Sequence, residues 1–456
     1  MKPLKLSAWC FFSPLDPPQR VSYSIGLAAK PHEFTDPETR RTHMTHGFFE
    51  VVSTARFREI LTSFPPLGAE HVELSAAHGR VLAEDVAARE DLPLADRSSM
   101  DGYAVRAADT FGASEGNPAY LESAGSLRID AVPDFSIQSG ECAAITTGGI
   151  LPEGADAVVM IEHTQELGSG TIEIRKSLAP HDNVMLRGED AKAGETALAR
   201  GTRLRAQEIG FLAALGIDAA LVHRRPRVAV LSTGDELVDI SATPRVGQVR
   251  DVNTVAVCAL VAEAGAEPVA LERVPDRLDV IVDALRRGLA ECDMLFLSGG
   301  SSVGTRDLTV EAIGKLPNSQ ILAHGVQVSP GKPTILASVA GKPIWGLPGQ
   351  VTSAQVVMHA FGMPFLRHLA GDPAAFDPAR RPMRQAELAR NVASKAGRED
   401  YLRVSLQQRP GQPPLALPRL GKSGLLKTML QAEGLIVMDA RLEGLKAGSL
   451  VDVWLL

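Results

Sequence analysis

The sequence predicts a multidomain α/β and β protein built around a central doubly wound α/β domain. Two short apolar runs, residues 227–231 and 294–297, do not alternate with polar residues, which is typical of parallel strands buried on both faces. Between them, residues 278–289 carry apolar side chains on one helical face and charged side chains on the other. A chain of 456 residues is too long for one core of ordinary size, so further domains are expected.

Local composition and periodicity divide the chain further. Residues 1–43 show no clear periodicity, so we expect either a disordered extension or a mis-annotated start ahead of Met44. The segment up to about residue 177 is rich in glycine, proline and β-branched residues, which favours a small β-rich domain. The predicted domains are a helical linking domain (44–93 with 178–225), a β-rich domain (94–177), the α/β domain (226–370) and a C-terminal β domain (371–456).

The individual elements follow from the same patterns. Helices are predicted at residues 48–61, 206–216, 254–264, 278–289 and 352–369. Strands of the C-terminal domain are predicted at residues 401–406, 435–438 and 451–455. Helices between buried strands indicate βαβ units and a parallel sheet.

Composition excludes several classes of protein. The formal net charge of −7 argues against binding nucleic acid through bulk charge. The four cysteines lie far apart without a CxxC pair, so neither a disulfide framework nor a cysteine zinc site is expected, and a reducing cytoplasm fits. No apolar stretch is long enough to span a bilayer. We therefore expect a cytoplasmic protein with neither a nucleic-acid partner nor a membrane partner.

Four loops with glycine are the main candidates for a ligand site, and three of them follow short apolar runs. Glycine lets backbone N–H groups approach an anion closely, and loops at the carboxyl edge of a parallel sheet usually form one site. The sequence therefore predicts a site for phosphorylated or oxyanionic small molecules. The loops are Ser232-Thr233-Gly234-Asp235-Glu236, Ser298-Gly299-Gly300-Ser301-Ser302, Ser329-Pro330-Gly331-Lys332-Pro333 and Leu347-Pro348-Gly349-Gln350.

Charged residues in these loops suggest what the site does. Asp235 and Glu236 follow a buried strand, where a carboxylate can face a metal or a phosphate. Lys332 lies between prolines that restrict its backbone, so its ammonium can act as a fixed point charge. Each residue also has a structural alternative, because Asp235 can cap a turn and Glu236 and Lys332 can simply be solvated.

Eight segments in one order resemble the molybdopterin molybdotransferases, the MoeA family that includes the E domain of gephyrin, from about Met44 to the C-terminus. Each segment alone is weak, but their order makes the resemblance specific. The segments are DRSSMDGYAVRAADT (96–110), ITTGGILPEGADAVV (145–159), RGED (187–190), STGDEL (232–237), GQVRDVN (247–253), SGGSSVGTRDL (298–308), PGKPT (330–334) and GLPG (346–349).

The resemblance implies an enzyme of molybdenum cofactor biosynthesis. Such an enzyme inserts molybdenum from molybdate into adenylylated molybdopterin with release of AMP, and Mg²⁺ or a similar cation assists. It also implies a molybdopterin-binding-like α/β domain, a barrel-like C-terminal domain, and a homodimer whose cleft combines the α/β domain of one subunit with the β-rich domain of the other. Protein partners could include a molybdopterin adenylyltransferase and molybdoenzyme maturation proteins.

The resemblance also assigns roles to residues of this chain. The acidic loop with Asp96 and Asp101 belongs to the catalytic cleft. The catalytic residues are Asp235, Glu189, Asp96 and Lys332, and the metal ligands are Asp235, Glu236 and Glu189. The residues expected to bind the pterin substrate are Thr147, Gly148, Ser232, Thr233, Gly234, Ser298, Gly299, Gly300, Ser301, Ser302, Asp307, Pro348 and Gly349.

The chain departs from the commonest family pattern at three places next to the expected oxyanion site. Gln350 and Val351 stand where family members usually have Asn and Pro after the Pro-Gly pair. Thr305 replaces a frequent acidic residue after Ser-Val-Gly, and Ser329 replaces a frequent basic residue before Pro-Gly-Lys-Pro. These changes bear on metal choice, on affinity and on activity.

Two other functions fit parts of the sequence. Residues 300–304 match GxSxG, the nucleophile elbow of an α/β-hydrolase, with Ser302 as the nucleophile. The Thr305-Arg306-Asp307 stretch delays the helix that should follow such an elbow at once, which argues against a hydrolase. A pterin-binding carrier or scaffold of the same fold is the second alternative. The combination of Asp235, Glu189 and Lys332 favours the enzyme.

Overall fold

The structure is a computed structural model that describes residues 51–299 and 308–456. Its centre is a six-stranded sheet in which four neighbouring strands are parallel and the two at one edge are antiparallel. The strands are β1 (Arg227–Ser232), β2 (Glu267–Ala270), β3 (Met294–Ser298), β4 (Ser319–His324), β5 (Ile335–Val339) and β6 (Lys342–Leu347). Their order across the sheet is β2-β1-β3-β6-β5-β4. Every residue of β3, and every residue of β1 except Arg227, is buried, as the non-alternating apolar runs predicted.

Helices cover both faces of this sheet. On one face, Phe296 of β3 packs in a core with Val257 and Trp345. On the other face, the neighbouring residues Leu295 and Leu297 pack in a second core with Ile281. The doubly wound arrangement is therefore confirmed, as are the helices predicted at residues 254–264 and 278–289, whereas the helix predicted at 352–369 is interrupted by a π-helical turn. The helices are α1 (Val252–Glu263), α2 (Leu278–Glu291), α3 (Leu308–Gly314), α4 (Val351–Val357) and α5 (Met363–Leu369). A π-helical turn, Met358–Gly362, joins α4 to α5.

A helix near the start of the described chain completes one of these cores. The helix Thr54–Thr62 begins at Ser53, whose hydroxyl accepts a hydrogen bond from the Arg56 N–H at 3.1 Å. The Phe57 ring is fully buried, with its centroid 5.3 Å from the centroids of Trp345 and Phe361. The helix predicted at 48–61 is confirmed from Thr54 onwards, residues 51–53 are not helical, and residues 48–50 lie outside the described residues.

The linking part is built from segments that flank the β-rich domain in sequence. Ala69–Glu73 pairs with Ala219–His223, and Val86–Ala87 pairs with Thr196–Leu198. The helix Ala206–Ala214 packs over these pairs through Leu212. This part of the chain therefore contains two small sheets as well as its helix.

The β-rich domain is one curled six-stranded sheet. Its strands in spatial order are Ala157–Met160, Gly102–Val105, Glu141–Ile145, Ala119–Ser126, Thr171–Ile174 and Thr164–Glu166. A short pair, Arg97–Ser98 with Val184–Met185, joins it to the linking part.

The C-terminal domain is a closed five-stranded barrel, as expected. Its strands in spatial order are Met383–Leu388, Leu450–Leu455, Gly434–Met438, Glu399–Arg409 and Gln412–Pro418, and the last pairs again with the first. In the same domain, Val392–Ala393 pairs with Gly444–Leu445, and a short helix lies at Lys427–Leu430. The strand Val328–Ser329 pairs with the barrel strand Glu399–Arg409. In the α/β domain, Leu237–Val238 pairs with Val249–Arg250. Among the described helices, none has the length and apolar character needed to cross a membrane.

Candidate functional site

Three of the predicted loops begin side by side at the carboxyl edge of the central sheet. Ser232, the last residue of β1, lies opposite Ser298, the last residue of β3. Ser298 in turn lies opposite Leu347, the last residue of β6. The Thr233 N–H donates to the Ser298 carbonyl oxygen at 2.9 Å and so ties the first loop to the second. The parallel topology thus brings these loops together, as the sequence predicted.

Glycine is required where two of these loops meet. Gly299 has a φ of +108°, and a Cβ atom there would lie 2.0 Å from the Thr233 carbonyl oxygen. A Cβ atom at Gly349 would lie 3.7 Å from the Gly299 Cα atom. Only a residue without a side chain fits at Gly299, so the backbone there can approach a ligand closely.

Asn253 connects the same loops, although we did not predict it as a site residue. Its Nδ2 donates to Ser298 Oγ at 2.5 Å and to the Gly349 carbonyl oxygen at 2.8 Å. Its Oδ1 is buried and has no hydrogen-bond partner among the described residues. Buried acceptors are normally paired, so this oxygen is available to a ligand N–H, a ligand O–H or a water. The only hint in the sequence is its position in the GQVRDVN segment at the start of α1.

Below these loops, hydroxyl groups hold the edge in place. Ser232 and Thr233 are almost completely buried. Ser232 Oγ donates to Asp251 Oδ1 at 3.0 Å, and Asp251 also caps α1 by accepting from the Thr254 N–H at 3.1 Å. Thr233 Oγ1 donates to Asp276 Oδ1 at 2.7 Å. These hydroxyls, which we expected to bind substrate, are engaged within the protein, and Asp251 and Asp276 are additions to the predicted set.

The carboxylates of Asp235 and Glu236 lie above this layer and are exposed. Asp235 Oδ1 accepts from the backbone N–H of Asp276 at 3.2 Å. The Glu236 carboxylate lies over Gly234, where a Cβ atom would be 2.7 Å from Glu236 Oε2. Across residues 51–299 and 308–456, no three His, Cys, Asp or Glu side chains form a group that could hold a metal by themselves. Within one chain, the predicted metal ligands Asp235, Glu236 and Glu189 therefore do not come together as one group.

Lys332 lies in a loop that packs on the helix following β6. Gly331 has a φ of +122°, and a Cβ atom there would lie 2.5 Å from Val357 Cγ2 of α4. The Lys332 side chain is exposed, and its carbonyl oxygen accepts from the Val326 N–H at 2.9 Å. The tight contact fixes the loop, while the ammonium is left at the surface.

The other predicted site residues form a second group on the β-rich domain and the linking part. Asp101 Oδ1 accepts from the backbone N–H of Thr147 at 2.6 Å and from its hydroxyl at 2.9 Å, and these bonds lower the pKa of Asp101. Asp96 Oδ1 accepts from the Arg187 N–H at 2.7 Å, and Glu189 Oε2 accepts from the Leu186 N–H at 2.8 Å.

Gly148 belongs to this second group as well. Its N–H donates to the carbonyl oxygen of Ser98, two residues after Asp96, at 2.7 Å. In the described ranges, no hydrogen bond or ion pair joins the second group to the edge of the central sheet. One chain therefore presents the predicted residues as two separate groups. The predicted residues Gly300, Ser301, Ser302 and Asp307 lie outside the described residues, as does Thr305.

The fold and the edge define a class of protein: a multidomain α/β protein with a glycine-lined, carboxylate-bearing candidate ligand site at the ends of its parallel strands. Comparison with known families identifies the particular one. The chain belongs to the MoeA family. It matches "MoeA N-terminal region (domain I and II)" over residues 52–216, "Probable molybdopterin binding domain" over 229–368 and "MoeA C-terminal region (domain IV)" over 385–456.

Individual relatives agree with this assignment. The chain is 35% identical to the molybdopterin molybdenumtransferase of Nostoc sp., with 74% of this chain and 77% of the relative covered. It is 34% identical to molybdopterin molybdenumtransferase 2 of Mycobacterium tuberculosis, with 84% of this chain and 94% of the relative covered. A crystal structure of the molybdopterin biosynthesis MoeA protein from Pyrococcus horikoshii has a TM-score of 0.71 and 34% identity, with 89% of this chain and 99% of that chain covered.

Proposed function

We propose that this protein is a molybdopterin molybdotransferase, which inserts molybdenum from molybdate into adenylylated molybdopterin and releases AMP. The observation that supports this most strongly is the edge of the central sheet, where the Gly299 and Gly349 backbones meet beside the Asp235 and Glu236 carboxylates. Backbone N–H groups suit phosphate oxygens, and carboxylates suit a hard cation. Relatives that carry this enzyme name match most of the chain.

A divalent cation such as Mg²⁺ fits the oxygen atoms at this edge. Mg²⁺ usually takes one or two carboxylates, keeps several waters and completes its shell with substrate phosphates. Asp235 and Glu236 provide two exposed carboxylates, and Asp276 lies next to them. These acidic groups would repel a phosphate on their own, so a cation between them and the substrate is the consistent arrangement. When bound, the cation would polarise the phosphate whose bond to the leaving group breaks.

Residues of the chain itself would then do three things. Gly299 and Gly349 would admit phosphate oxygens close to the backbone, and Asn253 would hold their loops in register. Lys332 would attract molybdate or phosphate by its charge. Asp235 would hold the cation against the phosphate, so the negative charge that develops there is compensated.

We further propose that the protein acts as a homodimer and that each cleft combines residues of both subunits. The support is the separation of the predicted residues into two groups within one chain. If the cleft is shared, Asp235 of one subunit and Glu189 of the other serve the same reaction. Subunit mixing tests this arrangement directly.

Asp235→Asn and Glu189→Gln, each inactive alone, should restore about a quarter of wild-type activity when mixed and re-associated. Half of the dimers would then be mixed, and each would contain one intact cleft. No recovery, with mixed dimers demonstrated by differential tags, would place the cleft within one subunit. Recovery in the absence of mixed dimers would equally contradict a shared cleft.

The function itself is tested by incubating the purified protein with adenylylated molybdopterin, Mg²⁺ and molybdate. We expect AMP release and molybdenum incorporation into the pterin, with neither when the protein is omitted. Binding of the pterin without AMP release would favour a carrier or scaffold. Stoichiometric labelling by a fluorophosphonate, lost in Ser302→Ala, would favour a hydrolase.

A further inference from the structure

A pocket lies away from the sheet edge, between the C-terminal barrel and the segment formed by the π-helical turn and α5. Its volume is about 430 Å³, within the range of roughly 300–1,000 Å³ typical of small-molecule sites. The basic residues Arg203, Arg367 and Arg381 line it together with Trp454. None of these residues belongs to the predicted catalytic site.

Arg367 is the central feature of this pocket. Its Nε is buried without a hydrogen-bond partner, and within the described residues its guanidinium makes no hydrogen bond or ion pair. Burial and the nearby charge of Arg203 lower the pKa of Arg367, and the Asp372 and Glu263 carboxylates offset only part of this effect. Two arginines that repel each other beside a pocket are stabilised when an anion lies between them. The planar guanidinium group matches the oxygens of a phosphate in a bidentate manner.

Arg381 also lines the pocket and is held in place. It donates to the carbonyl oxygens of His359 at 3.2 Å and Ala360 at 3.0 Å, both in the π-helical turn. Its guanidinium also stacks on Trp454, 4.1 Å from the ring centroid. Turns of this kind are frequent at functional sites. Arg381 therefore contributes a fixed positive charge, although part of its hydrogen-bonding capacity is already used.

Acidic residues limit how much negative charge the pocket accepts. Glu263, Asp372 and Asp377 also line it, and Asp372 lies 4.0 Å from Arg380. Arg380 lines the pocket as well, so four arginine side chains outnumber these three acidic side chains by only one. A single phosphate group suits this balance better than a long polyanion does.

We propose that this pocket binds the phosphate group of a small molecule, with Arg367 and Arg203 as its donors. Inorganic phosphate and a mononucleotide such as AMP share this chemistry, and measuring the binding of each one distinguishes between them. The site is distinct from the sheet edge, so the proposal does not depend on the enzymatic activity.

The test measures equilibrium binding of labelled inorganic phosphate and of labelled AMP to the full-length protein in chloride buffer. Arg367→Gln and Arg203→Gln should each weaken phosphate binding about tenfold or more, because a hydrogen bond to a charged group is lost. Arg287→Gln, which changes an exposed arginine on α2, should leave binding unchanged. Arg203 is exposed, so its variant gives an answer even if Arg367→Gln does not fold.

Loss of bound phosphate in both pocket variants supports a phosphate site. If the wild type does not bind phosphate and both pocket variants lose one equivalent of bound AMP, the ligand is a nucleotide. The proposal is overturned if neither probe binds saturably at millimolar concentration, or if the pocket variants bind both probes as the wild type does.

Discussion

Replacing Asn253 with alanine should displace the loops at the sheet edge while leaving the protein folded. The change removes the hydrogen bonds from Nδ2 to Ser298 Oγ and to the Gly349 carbonyl oxygen. Each such bond contributes about 0.5–1.5 kcal/mol, and the exposed Gly349 can bind water instead, so the loss of unfolding free energy should be about 1–2 kcal/mol. The protein should remain folded at 25 °C.

Activity should fall much further than stability. The loops after β3 and β6 would no longer be tied together, and a displacement of about 1 Å at a reacting centre can cost 10²-fold in rate. We therefore expect kcat/KM for AMP release to drop by one to two orders of magnitude, while urea unfolding shows only the modest loss. Asn253→Asp should be no better, because it adds a negative charge beside Asp251.

Asn391→Ala is the matched control, since it removes one hydrogen bond, from the Ala447 N–H at 2.8 Å, in the C-terminal domain. It should change stability slightly and activity not at all. The reasoning is refuted if Asn253→Ala keeps kcat/KM within about twofold of the wild type while losing the expected stability. In that case Asn253 would be structural only.

Two further predictions concern one glycine and one histidine. Gly299→Ala should destabilise the protein by more than about 1 kcal/mol, because the positive φ of Gly299 and the Thr233 carbonyl oxygen exclude a Cβ atom. Gly210→Ala, in a helix with open space around this position, should be neutral or stabilising. Equal losses of stability for the two variants in urea unfolding would contradict this prediction. Burial, together with Arg381 and Arg367, lowers the pKa of His359 from 6.5 to about 4, so the unfolded chain binds the extra proton first as the pH falls. The wild type should therefore lose about 2 kcal/mol more than His359→Gln between pH 7.5 and pH 5. Parallel stability curves for the two proteins would show that the histidine is not buried in its neutral form.

The sequence predicted those features that depend on local pattern. The apolar runs of β1 and β3 and the two-sided pattern of α2 report burial directly, so the edge of the sheet and its loops could be located. Glycine at position 299 was recognised for the same reason, because its loop follows a buried strand. Each of these features can be predicted from residues that lie close together in the sequence.

Other features depend on contacts between distant parts of the chain. Phe57 packs against Trp345, almost three hundred positions away in the sequence, and periodicity shows a buried face but not its partner. Asn253 is an ordinary polar residue at the start of a helix, and only the fold brings it to the ends of β3 and β6. The π-helical turn leaves no mark in the apolar pattern of residues 352–369. Tertiary structure decides such features.

The most direct test of the proposed function is single-turnover AMP release and molybdenum incorporation by wild type, Asp235→Asn and Asp283→Asn. Asp283 is an exposed residue of α2, paired only with Arg286 at 3.2 Å among the described residues. Wild type and Asp283→Asn should release AMP and incorporate molybdenum in equal amounts. Asp235→Asn should remain folded and be slower by about 10²-fold or more, since it loses the charge that is proposed to hold the cation. Wild-type rates in Asp235→Asn, or AMP release without molybdenum incorporation in the wild type, would contradict the account.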